Sequence, residues 1–331
     1  MNMLSEAELR AIPKVELHLH LDCSMSFASV SALDPGVTPE RYRAEFLAPR
    51  KCVNLVDYFR YLAPALALLQ TREALTVSTI DLLRQLHEDG VVYAEIRFAP
   101  QLHRQTGMST EAVVETVLAA LVEGRRSYPV EARLILCQLR PEDTANGLEL
   151  VRIAQKYRAQ GVGGVDLAGD ETGYGLGEHI PVFKQARDLG LNITAHAGEA
   201  GGAEKVREVV EQLGVRRVGH GVRSIEDDAV IALLLERDVH LEVCPSCNIQ
   251  IDVFDRYEDH PVDALVRRGV SVGVNTDARG PTDLTLTEEY GRLQQVFGWD
   301  AARFRAANLA AIGRAFADDA TKAAIRARLE A

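Results

Sequence analysis

Eight short, nearly continuous apolar runs, separated by longer stretches with helical spacing, set the tightest limit on what this chain folds into. The runs are 15–21, 92–98, 133–139, 163–167, 192–196, 217–220, 240–244 and 270–275. Runs that are apolar at nearly every position suit parallel strands covered on one side by helices and on the other by a packed core. The intervening patterns read as helices. Residues 73–90 end on Gly90, where a helix stop belongs, and 109–126 open on Ser109 and Thr110 with a glutamate close behind. Residues 179–190 and 225–238 continue the alternation, and two further helical segments, around 300–316 and 319–329, follow the last run. The stretch 54–71 is strongly apolar with aromatics and reads as a core helix. No Ser/Gly/Pro linker or repeat divides the chain. The pattern predicts one α/β domain over residues 1–331, a (β/α)8 TIM barrel with extra C-terminal helices. A doubly wound open sheet is the alternative, but no G-x-G-x-x-G follows any run.

Composition narrows the function classes. A formal net charge of -11 argues against binding the nucleic-acid backbone by bulk charge. No apolar run reaches membrane-spanning length, and the first residues lack a signal-peptide core. The five cysteines, at 23, 52, 137, 244 and 247, are odd in number and scattered, which fits a reducing cytoplasm better than a disulfide framework. The expected partner is a small molecule, and oligomeric state stays open.

The chemistry collects at the ends of the apolar runs, where a barrel presents its reactive residues. In "PKVELHLHLD" (13–22), alternation puts Val15, Leu17, Leu19 and Leu21 on one face and Glu16, His18, His20 and Asp22 on the other. The fourth run leads into "DLAGDETG", the fifth into "AHAGEAGG" with His196 and Glu199, the sixth into His220 and the eighth into Asp277. Any one of these is an ordinary loop residue; together they predict a metal site. His18, His20, His196 and Asp277 supply three nitrogens and one carboxylate, a set suited to zinc, which activates water near neutral pH. Glu199 is placed to move protons, and His220 to orient the nucleophile or stabilise developing charge. A bridging lysine after the fourth run would signal two metals; "VDLAGDE" has none, so one zinc per chain is expected.

The ordered set "PKVELHLHLD", "DLAGDE", "HAGE", "GHGVR", "CPSCN" and "NTDA…TLTEEY" resembles the adenosine deaminase family of metal-dependent barrel hydrolases, from Pro13 to Tyr290. The resemblance implies hydrolytic deamination at C6 of a purine nucleoside, most simply adenosine or 2′-deoxyadenosine. Related aminopurines are the alternatives: an N6-substituted purine, AMP, adenine or aminodeoxyfutalosine. It implies zinc on His18, His20, His196 and Asp277, protonation of ring N1 by Glu199, and orientation of the nucleophile by His220. It also implies substrate contacts from His20, from Asp22 to the ribose 5′ hydroxyl, and from the backbone at Gly169 near N3. In this family the helix matching 54–71 partly roofs the pocket, so Phe59 and Leu62 become candidates to shield the purine. Two departures stand out. Ala278 occupies a position where many members carry an acid or amide that meets N7, and Cys23 replaces a common glycine. Arg279, expected at an exposed loop tip, is the nearest substitute donor for N7. Cys244 and Cys247 read as a structural turn. His179 and His260 are expected to be exposed, His240 to start the seventh strand, and Glu95 with Arg97 to form a buried pair.

Overall fold

The computed structural model describes residues 3–331. Its strands are β1 Lys14–His20, β2 Val91–Phe98, β3 Glu131–Leu139, β4 Val162–Ala168, β5 Asn192–Ile193, β6 Ala195–Ala197, β7 Arg217–His220, β8 His240–Val243 and β9 Ser271–Val274. They pair in sequence order and in parallel, β1 to β5 in one sheet and β6 to β9 in another. Helices connect them on the outside, and the two sheets together form the α/β TIM barrel. The predicted fifth run is split at Thr194, whose N–H turns to Val165 O at 3.0 Å. β5 and β6 thus share one position in the barrel.

The other seam lies between β9 and β1. Here a side chain replaces the strand ladder: Asn275 Oδ1 accepts from the N–H groups of Leu17 (2.8 Å) and His18 (3.0 Å). Just above, His20 N–H donates to Asp277 O at 2.8 Å and Asp277 N–H donates to His18 O at 3.1 Å. The helix Ala301–Arg314, capped at its start by Asp300, packs over β9 and β1. Its Asn308 Oδ1 accepts from Val15 N–H at 2.8 Å. Packing against this seam is the role of the first C-terminal helix.

The stretch 54–71 departs from the expected single core helix. It breaks into Leu55–Tyr58, a 3-10 turn Phe59–Tyr61, and Ala63–Leu68 with Pro64 in its first turn. Proline is tolerated there but not further inside a helix. The Glu95–Arg97 pair is also corrected. Inward side chains of a closed barrel meet partners across its interior. Arg97 therefore bonds Asp166 of β4 (3.0 Å) and Glu242 of β8 (2.6 Å), while Glu95 bonds Arg217 of β7 at 2.6 Å. Among the described residues no helix is long and apolar enough to cross a membrane, and the five cysteines are free and buried.

Candidate metal centre and active site

The geometry begins beneath the site, with the charged layer inside the barrel. His18 Nδ1 lies 3.0 Å from Glu242, and His196 Nδ1 lies 3.1 Å from Asp166. Arg97 links the two carboxylates and so keeps both ionised in the buried interior. An imidazole that donates from Nδ1 presents a bare lone pair at Nε2. Both Nε2 atoms point up toward the same place.

His20 and Asp277 complete that place. One donor atom each from His18, His20, His196 and Asp277 fall within 4.8 Å of one another. His18 Nε2 is buried with no hydrogen-bond partner, although Asp277 Oδ1 is only 3.1 Å away. The Nε2 atoms of His20 and His196 approach to 3.2 Å, where they share at most one hydrogen. Three ring nitrogens and a carboxylate converging on one point fit a divalent cation. Burial pushes His20 down to about 3, so its ring is neutral at physiological pH, as a ligand must be. Burial opposes ionisation of Asp277, but the adjacent His18 outweighs it and holds its carboxyl well below the usual range. Close packing assists: a Cβ on Gly219 would lie 2.7 Å from His18 Cε1, so only glycine lets β7 pass behind that ring.

Above the cluster, His220 and Glu199 face each other, His220 Nε2 to Glu199 Oε1 at 3.3 Å. Burial pushes the Glu199 carboxyl well above its usual value, and the charges of Asp277 and Glu171 push the same way. A protonated carboxyl at neutral pH is a proton donor. The His220 tautomer follows from a chain of bonds. Val262 N–H donates to His260 Nδ1 (3.2 Å), so His260 donates from Nε2 to Asn248 Oδ1 (3.3 Å). The Asn248 amide then faces His220 Nδ1 at 3.2 Å, leaving the His220 proton on Nε2, toward Glu199. Both His220 (φ 60) and Asp277 (φ 65) hold left-handed backbone that non-glycine residues rarely adopt.

These groups floor a cavity of about 290 Å³. Asp22 and Gly169 line it, as do Cys23 and Ala278. Phe59 and Leu62 also reach it, from the broken segment above. Asp22 Oδ2 sits 3.6 Å from the buried ring of His103. Burial disfavours the Asp22 charge, but His103 outweighs it and lowers the carboxyl below its usual value. A larger cavity of about 560 Å³ lies at the opposite end of β3 and β4, with no histidine or cysteine in its wall.

His18, His20, His196 and Asp277, the pair Glu199 and His220, and Asp22 with Gly169 therefore all lie at one end of the barrel. Three other expectations change. Arg279 is buried, bonded to Glu16 (2.7 Å) and Asp89 (2.9 Å). It does not face the cavity. His260 is buried in the relay to His220, and His179 is buried with Nε2 3.2 Å from Arg140 O. Cys247 touches the cluster itself, with Sγ 2.9 Å from Asp277 Oδ2. Residues the sequence reading passed over are Asp166, Glu242, Asn248, His103 and Glu171. For Asp166 a signal existed: a lone acid inside an apolar strand.

The adenosine deaminase family model matches residues 13–331. The chain belongs to the adenosine deaminase family. That makes it a hydrolase acting on C–N bonds within the amidohydrolase superfamily. An adenosine deaminase from Haemophilus ducreyi is 36% identical over 328 residues, covering 96% of this chain and 95% of the relative. One from Clostridium acetobutylicum is 32% identical over 326 residues, covering 96% and 97%. Among solved structures, the adenine deaminase from Arthrobacter aurescens superposes with a TM-score of 0.87 at 28% identity, covering 97% of this chain and 98% of that one.

Proposed function

We propose that this adenosine deaminase family member, acting as one catalytic domain, removes the 6-amino group of adenosine or 2′-deoxyadenosine hydrolytically. The products are inosine or 2′-deoxyinosine and ammonia. The observation that carries the reading is the convergence of His18, His20, His196 and Asp277 directly beneath the Glu199–His220 pair in one cavity. The donor set of three nitrogens and a carboxylate suits one zinc ion. When bound, zinc supplies Lewis-acid activation of the attacking water near neutral pH.

The chain's own groups do the rest. Protonated Glu199 gives its proton to the ring nitrogen beside the reacting carbon, which makes that carbon electrophilic. Water oxygen adds to the carbon, which becomes tetrahedral; one water proton restores Glu199 and the other passes to the amino group, which leaves as ammonia as the carbon–oxygen double bond forms. His220, with its proton on Nε2, holds the nucleophile on one face of the ring. Asp22 accepts from the 5′ hydroxyl, the backbone at Gly169 approaches N3, and His20 lines the same wall. Phe59 and Leu62 exclude water from above. An ionised Asp22 beside the 5′ position repels a phosphate, which disfavours AMP.

A second reading, the free base adenine, is favoured by the likeness to the Arthrobacter aurescens adenine deaminase. Ammonia release from adenosine, 2′-deoxyadenosine, adenine, AMP and aminodeoxyfutalosine separates them. Turnover of the nucleosides well above the other compounds is expected; adenine as the best substrate would overturn the nucleoside reading.

A further inference from the structure

One buried carboxylate outside the metal cluster is bound almost wholly by backbone. Glu171, in the loop after β4, accepts from the N–H groups of Gly198 (2.9 Å), Glu199 (2.8 Å) and Gly201 (2.7 Å). It is buried with the loop it holds. Three donors within four residues converge on one side chain because Gly198 adopts left-handed backbone (φ 66) and Gly201 comes close. A Cβ on Gly201 would lie 3.1 Å from the Glu171 carboxyl carbon. From the other side Arg223 Nη1 donates to Ala200 O at 2.9 Å. The loop that carries Glu199 is therefore gripped by its N–H groups and by a carbonyl, across two different βα units.

We propose that Glu171 is a positioning residue for the reaction: it holds the backbone of Glu199 so that the acid meets the ring nitrogen at bonding distance. This rests on the reading of Glu199 as the proton donor. Charge-assisted bonds from N–H to carboxylate are the strong ones, and three of them fix a loop that has no strand or helix of its own at this point. Glutamine does not replace glutamate here, because its amide nitrogen would face a backbone N–H, donor to donor. A shift of about 1 Å in a reacting group can cost about 10²-fold in rate.

The test is a double-mutant cycle on the metal-loaded enzyme. Glu199→Gln alone is expected to keep its metal and fold and to lose about 10²–10⁴-fold in kcat. Glu171→Gln is expected to keep metal and a cooperative unfolding transition, and to lose about 10- to 100-fold in kcat with KM within about threefold. Added to Glu199→Gln, it should change kcat by less than about twofold. Affinity for 1-deazaadenosine, which lacks the nitrogen Glu199 serves, should stay within about twofold in Glu171→Gln. Should Glu171→Gln not fold, Glu171→Asp takes its place in the cycle: it keeps the charge, draws the carboxylate back by one methylene and is expected to show the same pattern. Normal kcat in the Glu171 variant, or a full multiplicative loss in the Glu199→Gln background, overturns the positioning role and leaves the acid assignment standing. Near-normal turnover by Glu199→Gln alone overturns the acid assignment and the inference with it.

Discussion

Arg279 and Ala278 are neighbours with opposite fates. Ala278 lines the cavity, offers no polar side-chain atom, and commits its N–H to Thr276 O at 2.8 Å. Arg279 is locked to Glu16 and Asp89. Neither can donate to purine N7, so 7-deazaadenosine and adenosine should differ by less than about threefold in kcat/KM, where a lost charged hydrogen bond would cost about ten- to a hundredfold. Arg279→Ala should leave that ratio unchanged and instead destabilise the fold by about 3–5 kcal/mol, since it strands two buried carboxylates. Steady-state kinetics and urea unfolding check the two halves. The convergence of His18, His20, His196 and Asp277 was legible in the sequence because alternation along β1 and the strand-end positions needed only local reading. Arg279 was not, because its partners lie 263 and 190 residues away. His260 was not legible either, because its role depends on a bond to Asn248, itself turned toward His220 at the end of β7.

Strands show how far periodicity carries. All eight predicted runs are strand positions in the barrel, with shifts of a residue or two at their ends. What the runs could not show is how the ring closes, since closure depends on single side chains. Asn275→Ala would leave the buried N–H groups of Leu17 and His18 without their acceptor. The expected cost is about 2–4 kcal/mol, read as a lower urea midpoint with an unchanged m-value. An unchanged midpoint would mean that the seam is held by other bonds. The segment 54–71 was legible as apolar but not as broken. Leu55, Phe59, Leu62 and Leu66 line the cavity while Ala65 and Leu69 pack in the core, and an apolar pattern alone does not distinguish the two.

For the whole molecule, acid should be the weak side. Burial pushes His260 down to about 3, and His240, with Arg217 adding to burial, also to about 3. Between those values and the unfolded value of about 6.5 the unfolded chain binds protons that the native state refuses. Stability is therefore complete above about pH 6.5 and falls as pH drops toward 3, by up to about 1.4 kcal/mol per pH unit for each histidine. Urea unfolding of His260→Gln from pH 4 to 7 should give a slope shallower by up to one proton; an identical slope would mean that His260 titrates normally. Metal removal tests another aspect. His18 and His20 belong to the sheet β1–β5, whereas His196 and Asp277 follow from the sheet β6–β9. Dialysis against a chelator should lower the melting temperature, with zinc restoring it, because the ion binds only the native state. Amide exchange should then quicken first at Leu17, His18 and Asp277, along the β9–β1 boundary. A cation held by these four residues would draw on both sheets, so the group that serves the chemistry would also tie the two halves of the cylinder together at its reactive rim.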